Sequence, residues 1–431
     1  MNLTSMVRAL FAFLAVSAPA FAGQTTFRIV AYLQDYNQPI GLIEGSPGTF
    51  YSNAGGGRQT IFSVTAQGSI TSLAYLPPPD ITGSPVVSGP DGRYYSTIGY
   101  GGTPSSNVVS VSKPAGSLKT YPTNPYVPFF AQNLPDGTLL ACDGTQLLKS
   151  DPSGNVTSIF QVPTVRIGVP LYGTDGNYYG VAEDQTAAGY VYKLTPSGVL
   201  TQLAAIPGNP FDFWTAPLIE GSDGNFYGTT NRGGANGNGF IYKVTRNGQY
   251  ATLFNFPKGS QGGASMIADS IIAASDGKIY GTTAGNGISD IYSITTSGQY
   301  QVVYRMSNPG VDGQCDCSLV QGSDGQIYGT AQYGGPIDAG AVFALDAGLP
   351  KPAPRAQHFQ PKSGAAGTPV RIWGYNLLSA GVQFNGMAAT EVHSSGSNYV
   401  WATVPAGATT GPITVSTPGG TVTTKASFTV E

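Results

Sequence analysis

Five acids stand in irregular stretches of this chain: Asp35, Glu183, Asp184, Asp212 and Asp312. Two carboxylates about 5–10 Å apart are enough for glycosidic chemistry, so loops that bring two of them together would make a hydrolase or lyase. A serine triad has less material. Both histidines, His358 and His393, lie in the last eighty or so residues, and no G-x-S-x-G elbow is present. The stretch GSDGNFYGTTNRGG, Gly221 to Gly234, joins an acidic turn to a glycine-rich run. Its GGANGNG leads into FIYKV, a strand, whereas a phosphate-binding loop opens a helix and carries G-K-(S/T). An EF-hand needs acidic ligands at alternate positions, and Ser-Asp-Gly offers one carboxylate. Aspartate in such a hairpin turn bonds local backbone N–H groups. Cys142, Cys315 and Cys317 with two distant histidines make no four-ligand zinc set. Their odd number leaves at least one thiol unpaired or bonded to another chain. The sequence points to no cofactor and no metal.

Repetition decides what the stretch is for. SPGTFYSNAGGG begins at Ser46, GPDGRYYSTIGYGG at Gly89, LPDGTLLACDG at Leu134, GTDGNYYGVAED at Gly173, ASDGKIYGTTAGNG at Ala274 and GSDGQIYGTAQYGG at Gly322. With Gly221 these are seven copies, their shared glycines 39 (Gly137 to Gly176) to 53 (Gly224 to Gly277) residues apart. Each copy continues into a second half such as VYKLTPSGVLTQL from Val191 or IYKVTRNGQYATLF from Ile241. One unit therefore reads as four strands, in the fifth copy PLIEGS, NFYGTT, GFIYKVT and QYATLFNF. Four strands per 40–50 residues, repeated, predict propeller blades. Tyr51, Tyr95, Tyr179, Tyr227, Tyr280 and Tyr328 recur at one position and read as core. Gly180, Gly228, Gly281 and Gly329 are expected to let neighbouring blades approach. The seventh unit lacks its fourth strand. QTTFRIVAYL, Gln24 to Leu33, resembles GQYQVVYRM and is expected to close the ring as the outer strand of the last blade.

The ends carry other signals. Residues 1–22 read as a cleaved secretory leader, with Arg8, the apolar run Ala9 to Val16 and the Ala20-Phe21-Ala22 site. Cleavage removes Arg8 alone from 20 basic and 23 acidic residues, leaving 19 against 23. That balance argues against nucleic acid. No later segment is long and apolar enough to span a membrane. LPKPAPR, 349–355, is a proline-rich linker. Residues 356–431, with GTPVRIWGYNL, VQFNGMAAT, YVWATVPAGATTGPITVSTPGGT and KASFTV, read as a small β-sandwich.

The unit GSDGNFYGTT…GG…G-x-(V/I)(F/Y)K-(V/L)T…G resembles the choice-of-anchor tandem-repeat proteins, a bacterial secreted family, over about residues 40 to 346. The third copy departs from it, with Leu140 in place of the tyrosine. SGAAGTPVRIWGYNL, VQFNG and VPAGATTGPITVSTPGG resemble an IPT/TIG domain. Both resemblances imply a fold, and neither implies a catalytic residue.

The expected architecture is all-β. A seven-bladed propeller over 23–348, its four-stranded blades closed by the N-terminal strand, precedes an immunoglobulin-like sandwich. Short turns such as SDGN and TRNGQ fall on one face. The longer second-to-third and blade-to-blade connections fall on the other, where binding residues concentrate. They carry Tyr36, Tyr126, Asp212 and Trp214 between blades, and Tyr100, Arg232 and Tyr333 within blades. Rings beside a few polar groups suit a glycan or a protein segment. The expectation is a secreted or cell-surface monomeric binding protein. A carboxylate enzyme and a non-catalytic matrix component stand as alternatives.

Overall fold

The computed structural model describes residues 25–431 except 34–35, 58–59, 76–83, 100–105, 113–116, 124–128, 162–165, 185–188, 208–216, 231, 258–270, 286–287, 307–311 and 313–317. The expected leader, Asp35, Tyr100, Tyr126, Asp212, Trp214, Cys315 and Cys317 lie outside the described residues, as does the Tyr36 side chain.

Runs of β-branched and aromatic residues between Asp-Gly turns become short strands. Among the described residues up to Asp346 they form seven antiparallel sheets. In the fifth, Ile219–Glu220, Phe226–Thr230, Phe240–Val244 and Tyr250–Asn255 follow one another in space as in sequence. Sheets 1, 2, 3 and 6 repeat this order, with inner strands Tyr36–Ser46, Val87–Ser88, Phe129–Asn133 and Ile271–Ala273. Sheet 4 departs from the expected four strands, since both Arg166–Ile167 and Leu171–Tyr172 pair with Tyr178–Glu183, and sheet 7 starts from Leu319–Gln321. The seven shared turn glycines have φ between +68° and +99°. A side chain would strain that conformation, which is why glycine recurs there.

Seven core clusters lie between successive sheets. Tyr51 and Ile61 meet Tyr94 and Val109 across sheets 1 and 2, and Tyr179 and Val191 meet Phe226 and Tyr242 across sheets 4 and 5. The last cluster joins Tyr328 and Val342 of sheet 7 to Phe50 and Phe62 of sheet 1, so the packing returns to its start. The recurring tyrosines are buried in these seams, between 0% and 6% exposed. The outer strand of sheet 7 is Thr26–Tyr32, antiparallel to Ala341–Asp346, with Phe27 opposite Leu345. The closure expected from QTTFRIVAYL is therefore made, and Arg28 adds a bond to the Ala66 carbonyl of sheet 1 at 3.0 Å.

The glycines of the second strands have a different role from the one expected. A Cβ on Gly228 would lie 2.3 Å from the Tyr242 ring, and on Gly281 2.3 Å from the Tyr292 hydroxyl. These pairs are cross-strand partners within one sheet. The glycine makes room for an aromatic ring laid over its own sheet, not for the neighbouring sheet.

After Asp346, Pro350 accepts bonds from Ser275 Oγ (2.5 Å) and Gln321 Nε2 (3.2 Å), which holds the proline-rich segment against the turns of sheets 6 and 7. Two sheets follow. One has the order Arg355–Gln360, Pro369–Tyr375, Tyr399–Thr403, Val392–Ser395. The other is built on Gly420–Val430, Gly411–Thr417 and Gly381–Phe384. They enclose a separate core of Val370, Ile372, Phe384, Val400, Ile413 and Phe428.

Candidate functional site: two faces of a propeller-like ring

The Asp-Gly turns form one face, and their chemistry is internal. Asp223 Oδ1 accepts the Asn225 N–H at 3.1 Å, and its Oδ2 accepts the Tyr227 hydroxyl at 2.7 Å. Asp91, Asp175, Asp276 and Asp324 make the same two bonds, with hydroxyl distances of 2.7–3.1 Å. These acids are occupied by the scaffold, as the turn reading expects. A second contact joins neighbouring sheets. Glu44, at the end of the inner strand of sheet 1, accepts Ser323 N–H (2.7 Å) and Oγ–H (2.8 Å) from the turn of sheet 7. Glu220 does the same for Thr174 (2.9 and 2.5 Å), and Gln321 engages Ser275 (2.9 and 2.7 Å). Burial pushes the Glu44 carboxyl above its usual range in spite of the bonds from Gly48 and Ser323. Sequence reading missed this contact. Its signal is the Glu or Gln just before the turn glycine, which reads as an ordinary polar residue until the neighbouring sheet is in place.

The C-terminal module covers much of this face. Ser395 Oγ donates to Gly89 O (2.7 Å), the Trp401 indole N–H to Pro90 O (3.2 Å), Tyr399 to Leu134 O (2.6 Å) and Arg371 to Pro135 O (3.1 Å). Trp373 sets its edge against Tyr172, centroids 5.8 Å apart, at the end of an inner strand.

The opposite face carries the longer connections. Two of them are described and are built alike. After Thr230, Gly239 N–H bonds Gly233 O (3.1 Å), and Phe256 N–H bonds Gly239 O (3.1 Å). After Ala331, Gly340 N–H bonds Gly334 O (3.0 Å), and Leu33 N–H bonds Gly340 O (3.0 Å). Asn255 Oδ1 accepts Ala235 N–H in the first loop, and Asp338 Oδ1 accepts Gly334 N–H in the second. Arg232 and Tyr333 each precede the Gly-Gly pair, so they occupy one position in two copies, and both are exposed. In the sequence Tyr100 precedes a Gly-Gly pair in the same way.

Of the five loop acids, Glu183, Asp184 and Asp312 lie among the described residues. Glu183 ends the strand Tyr178–Glu183, and Asp184 follows it, both half-buried. Asp312 is half-buried and bonds Tyr304. Sequence reading missed an ion pair on this side: Asp290 and Arg305 meet in a two-bond fork at 2.7 and 2.9 Å. They are opposite one another in register, where sheet 5 pairs Phe240 with Asn255. A charge at a position that is aromatic in the fourth and fifth copies, Tyr190 and Phe240, was the available signal. Cys142 is fully buried, and burial pushes its thiol up to about 12, so it is no nucleophile. Among the described residues no group of three His, Cys, Asp or Glu is placed to hold a metal ion, and no helix is long and apolar enough to cross a membrane.

Comparison with solved structures places the chain among propeller-like proteins. A streptogramin B lyase aligns with a TM-score of 0.58 at 16% identity, covering 75% of this chain and 97% of that one. Hydrazine synthase of Kuenenia stuttgartiensis aligns with a TM-score of 0.51 at 12% identity, covering 70% and 94%. At these identities the likeness speaks for the fold alone. A search of curated proteins finds no match. The model of the Gloeobacter/Verrucomicrobia repeat matches residues 166–398, more than half of the sequence, and the chain belongs to that repeat family.

Proposed function

We propose that this chain is a secreted binding protein that takes a glycan or a protein segment on its long-loop face. In this reading residues 1–22 are the leader, and 23–348 are a seven-bladed propeller of the choice-of-anchor tandem-repeat type. Residues 349–355 are the linker, and 356–431 are an IPT/TIG-type immunoglobulin-like module. The observation that carries the reading is the asymmetry of the two faces. The turn face spends its acids on its own tyrosines and backbone and is covered by the C-terminal module. The long-loop face presents Arg232 and Tyr333 from loops held by matching hydrogen bonds. Loops fixed in this way lose little further freedom when a ligand binds. Tyr36, Tyr100, Tyr126, Asp212 and Trp214 belong to the same proposed face.

A panel of glycans and cell-wall polymers, read with wild type and with Arg232→Ala/Tyr333→Ala and Tyr126→Ala/Trp214→Ala, tests this. Each pair of substitutions is expected to weaken a genuine ligand about tenfold or more, a loss of about 1–2 kcal/mol. A ligand that binds all three proteins equally would remove this face from consideration. Turnover of a bound polymer, lost on replacing Glu183 or Asp212, would move the assignment to an enzyme.

A further inference from the structure

Four turns of the ring read Ser/Thr-Asp-Gly: those at Thr174, Ser222, Ser275 and Ser323. In three of them a side chain from the next sheet bonds that first residue: Glu220 and Glu44 accept the N–H and hydroxyl of Thr174 and Ser323, and Gln321 accepts the Ser275 N–H and donates to its Oγ. At the fourth the next sheet supplies Ala273, which is too short to reach. Ser222 lies beside that sheet's turn, its Oγ 3.6 Å from where a Cβ on Gly277 would be. It makes no hydrogen bond among the described residues, and both it and Ala273 are exposed. Ser222 also lines a groove of about 480 Å³ between the ring and the C-terminal module, with Thr174, Asp175, Glu220, Arg246, Arg355 and Lys425 among its other walls. Arg246 is engaged by Asp175 and Glu220. Arg355 and Lys425 reach the groove from the module, are exposed, and make no ion pair among the described residues.

We propose that this groove is a binding site for a ligand carboxylate. The carboxylate takes the place that Glu44 and Glu220 fill at the other turns. It accepts the Ser222 N–H and hydroxyl, and Arg355 and Lys425 balance its charge. Two donors already arranged for a carboxylate, next to two unpaired cations, favour an anion over a neutral ligand. The site is on the turn side at the module boundary, so it stands or falls apart from the long-loop reading.

Calorimetric titration of the full chain with sodium glucuronate and with N-acetylglutamate, against glucuronamide and N-acetylglutamine, tests it. At least one acid is expected to bind, its amide about tenfold more weakly or not at all. The tighter of the two acids identifies an acidic sugar or an acidic peptide as the source. Arg355→Gln/Lys425→Gln is expected to weaken binding about tenfold. Ala273→Glu supplies the missing side chain in place, so it should abolish binding and raise the melting temperature. If that variant does not fold, Ser222→Ala removes one donor and should weaken binding severalfold. The proposal is overturned if neither acid binds, if acid and amide bind alike, or if a folded Ala273→Glu protein, or failing that Ser222→Ala, binds as wild type does.

Discussion

At the scale of the residue, the repeated Asp-Gly-x-x-Tyr is one chemical unit. The tyrosine is buried in a seam between sheets, and its hydroxyl needs a partner there. The turn aspartate supplies it with one oxygen while the other holds the turn closed. The third copy shows the logic by exception. Leu140 has no hydroxyl, and Asp136 Oδ2 accepts Lys149 Nζ at 2.8 Å, the contact that Lys243 makes to Asp223 Oδ2 beside the Tyr227 hydroxyl. Asp175 is also reached from the neighbouring sheet, by Arg246 of sheet 5 at 2.8 Å. Burial opposes its ionisation, but the bonds from Tyr179 and Asn177 and the Arg246 charge outweigh that and bring its pKa to about 2. A carboxyl with a depressed folded pKa adds stability that is complete above its unfolded value of 3.8 and is lost as pH falls through about 2. Discounted for solvent screening, the contribution is about 1 kcal/mol. Asp175→Asn should therefore cost about that much at pH 7 and only a small fraction of it at pH 2. Urea midpoints at pH 7, 4 and 2 check it, and a loss independent of pH would exclude the charge as its source.

At the scale of the element, the strands and their order were legible because alternation of apolar runs with Asp-Gly turns is local information. The missing fourth strand of the last unit was legible for the same reason, since FRIVAY has the composition of the other outer strands. In place, the strand does more than complete a sheet. Phe27 stacks on Tyr304 of sheet 6 with centroids 4.1 Å apart and lies 5.4 Å from Phe343. Removing residues 24–33 would leave Ala341–Asp346 as an open edge, which invites pairing with another chain. The truncated protein is expected to elute as oligomers and to melt below wild type, whereas Phe27→Ala should stay monomeric at a cost of about 3 kcal/mol. Light scattering and thermal melts separate the two outcomes. An unchanged monomer after truncation would deny the strand its closing role. The glycines under Tyr242 and Tyr292 and the Glu44 contact were not legible. Each depends on what stands opposite, and Glu44 meets Ser323 across 279 residues of chain. The candidate site was legible only as loops: equivalence of Arg232 and Tyr333 needed the backbone bonds on both sides of the Gly-Gly pair.

At the scale of the whole molecule, the repeat departs from its own pattern where the C-terminal module docks. Sheets 2 and 3 open their turns with Pro90 and Pro135 in place of Ser or Thr. Proline has no N–H and no hydroxyl, so these turns cannot join the side-chain contact that ties neighbouring sheets elsewhere. Their carbonyls face the module, which meets them with donors only: Trp401 on Pro90, Arg371 on Pro135 and Tyr399 on Leu134. The substitution that costs the ring one internal tie thus prepares an acceptor surface for a second body. Each neutral bond contributes about 1 kcal/mol and the arginine bond about 1.5–3 kcal/mol. Such an interface should make ring and module unfold together. Calorimetry of wild type is then expected to show one transition. Tyr399→Phe with Trp401→Phe, Arg371→Met and Ser395→Ala removes these donors and keeps an apolar side chain at each position. That quadruple variant should split the transition in two, with the module, which has its own core around Ile372 and Phe428, melting apart from the ring. A single transition at an unchanged temperature in the quadruple variant would mean that apolar contact, such as Trp373 on Tyr172, couples the two parts and that the donors contribute nothing to their union.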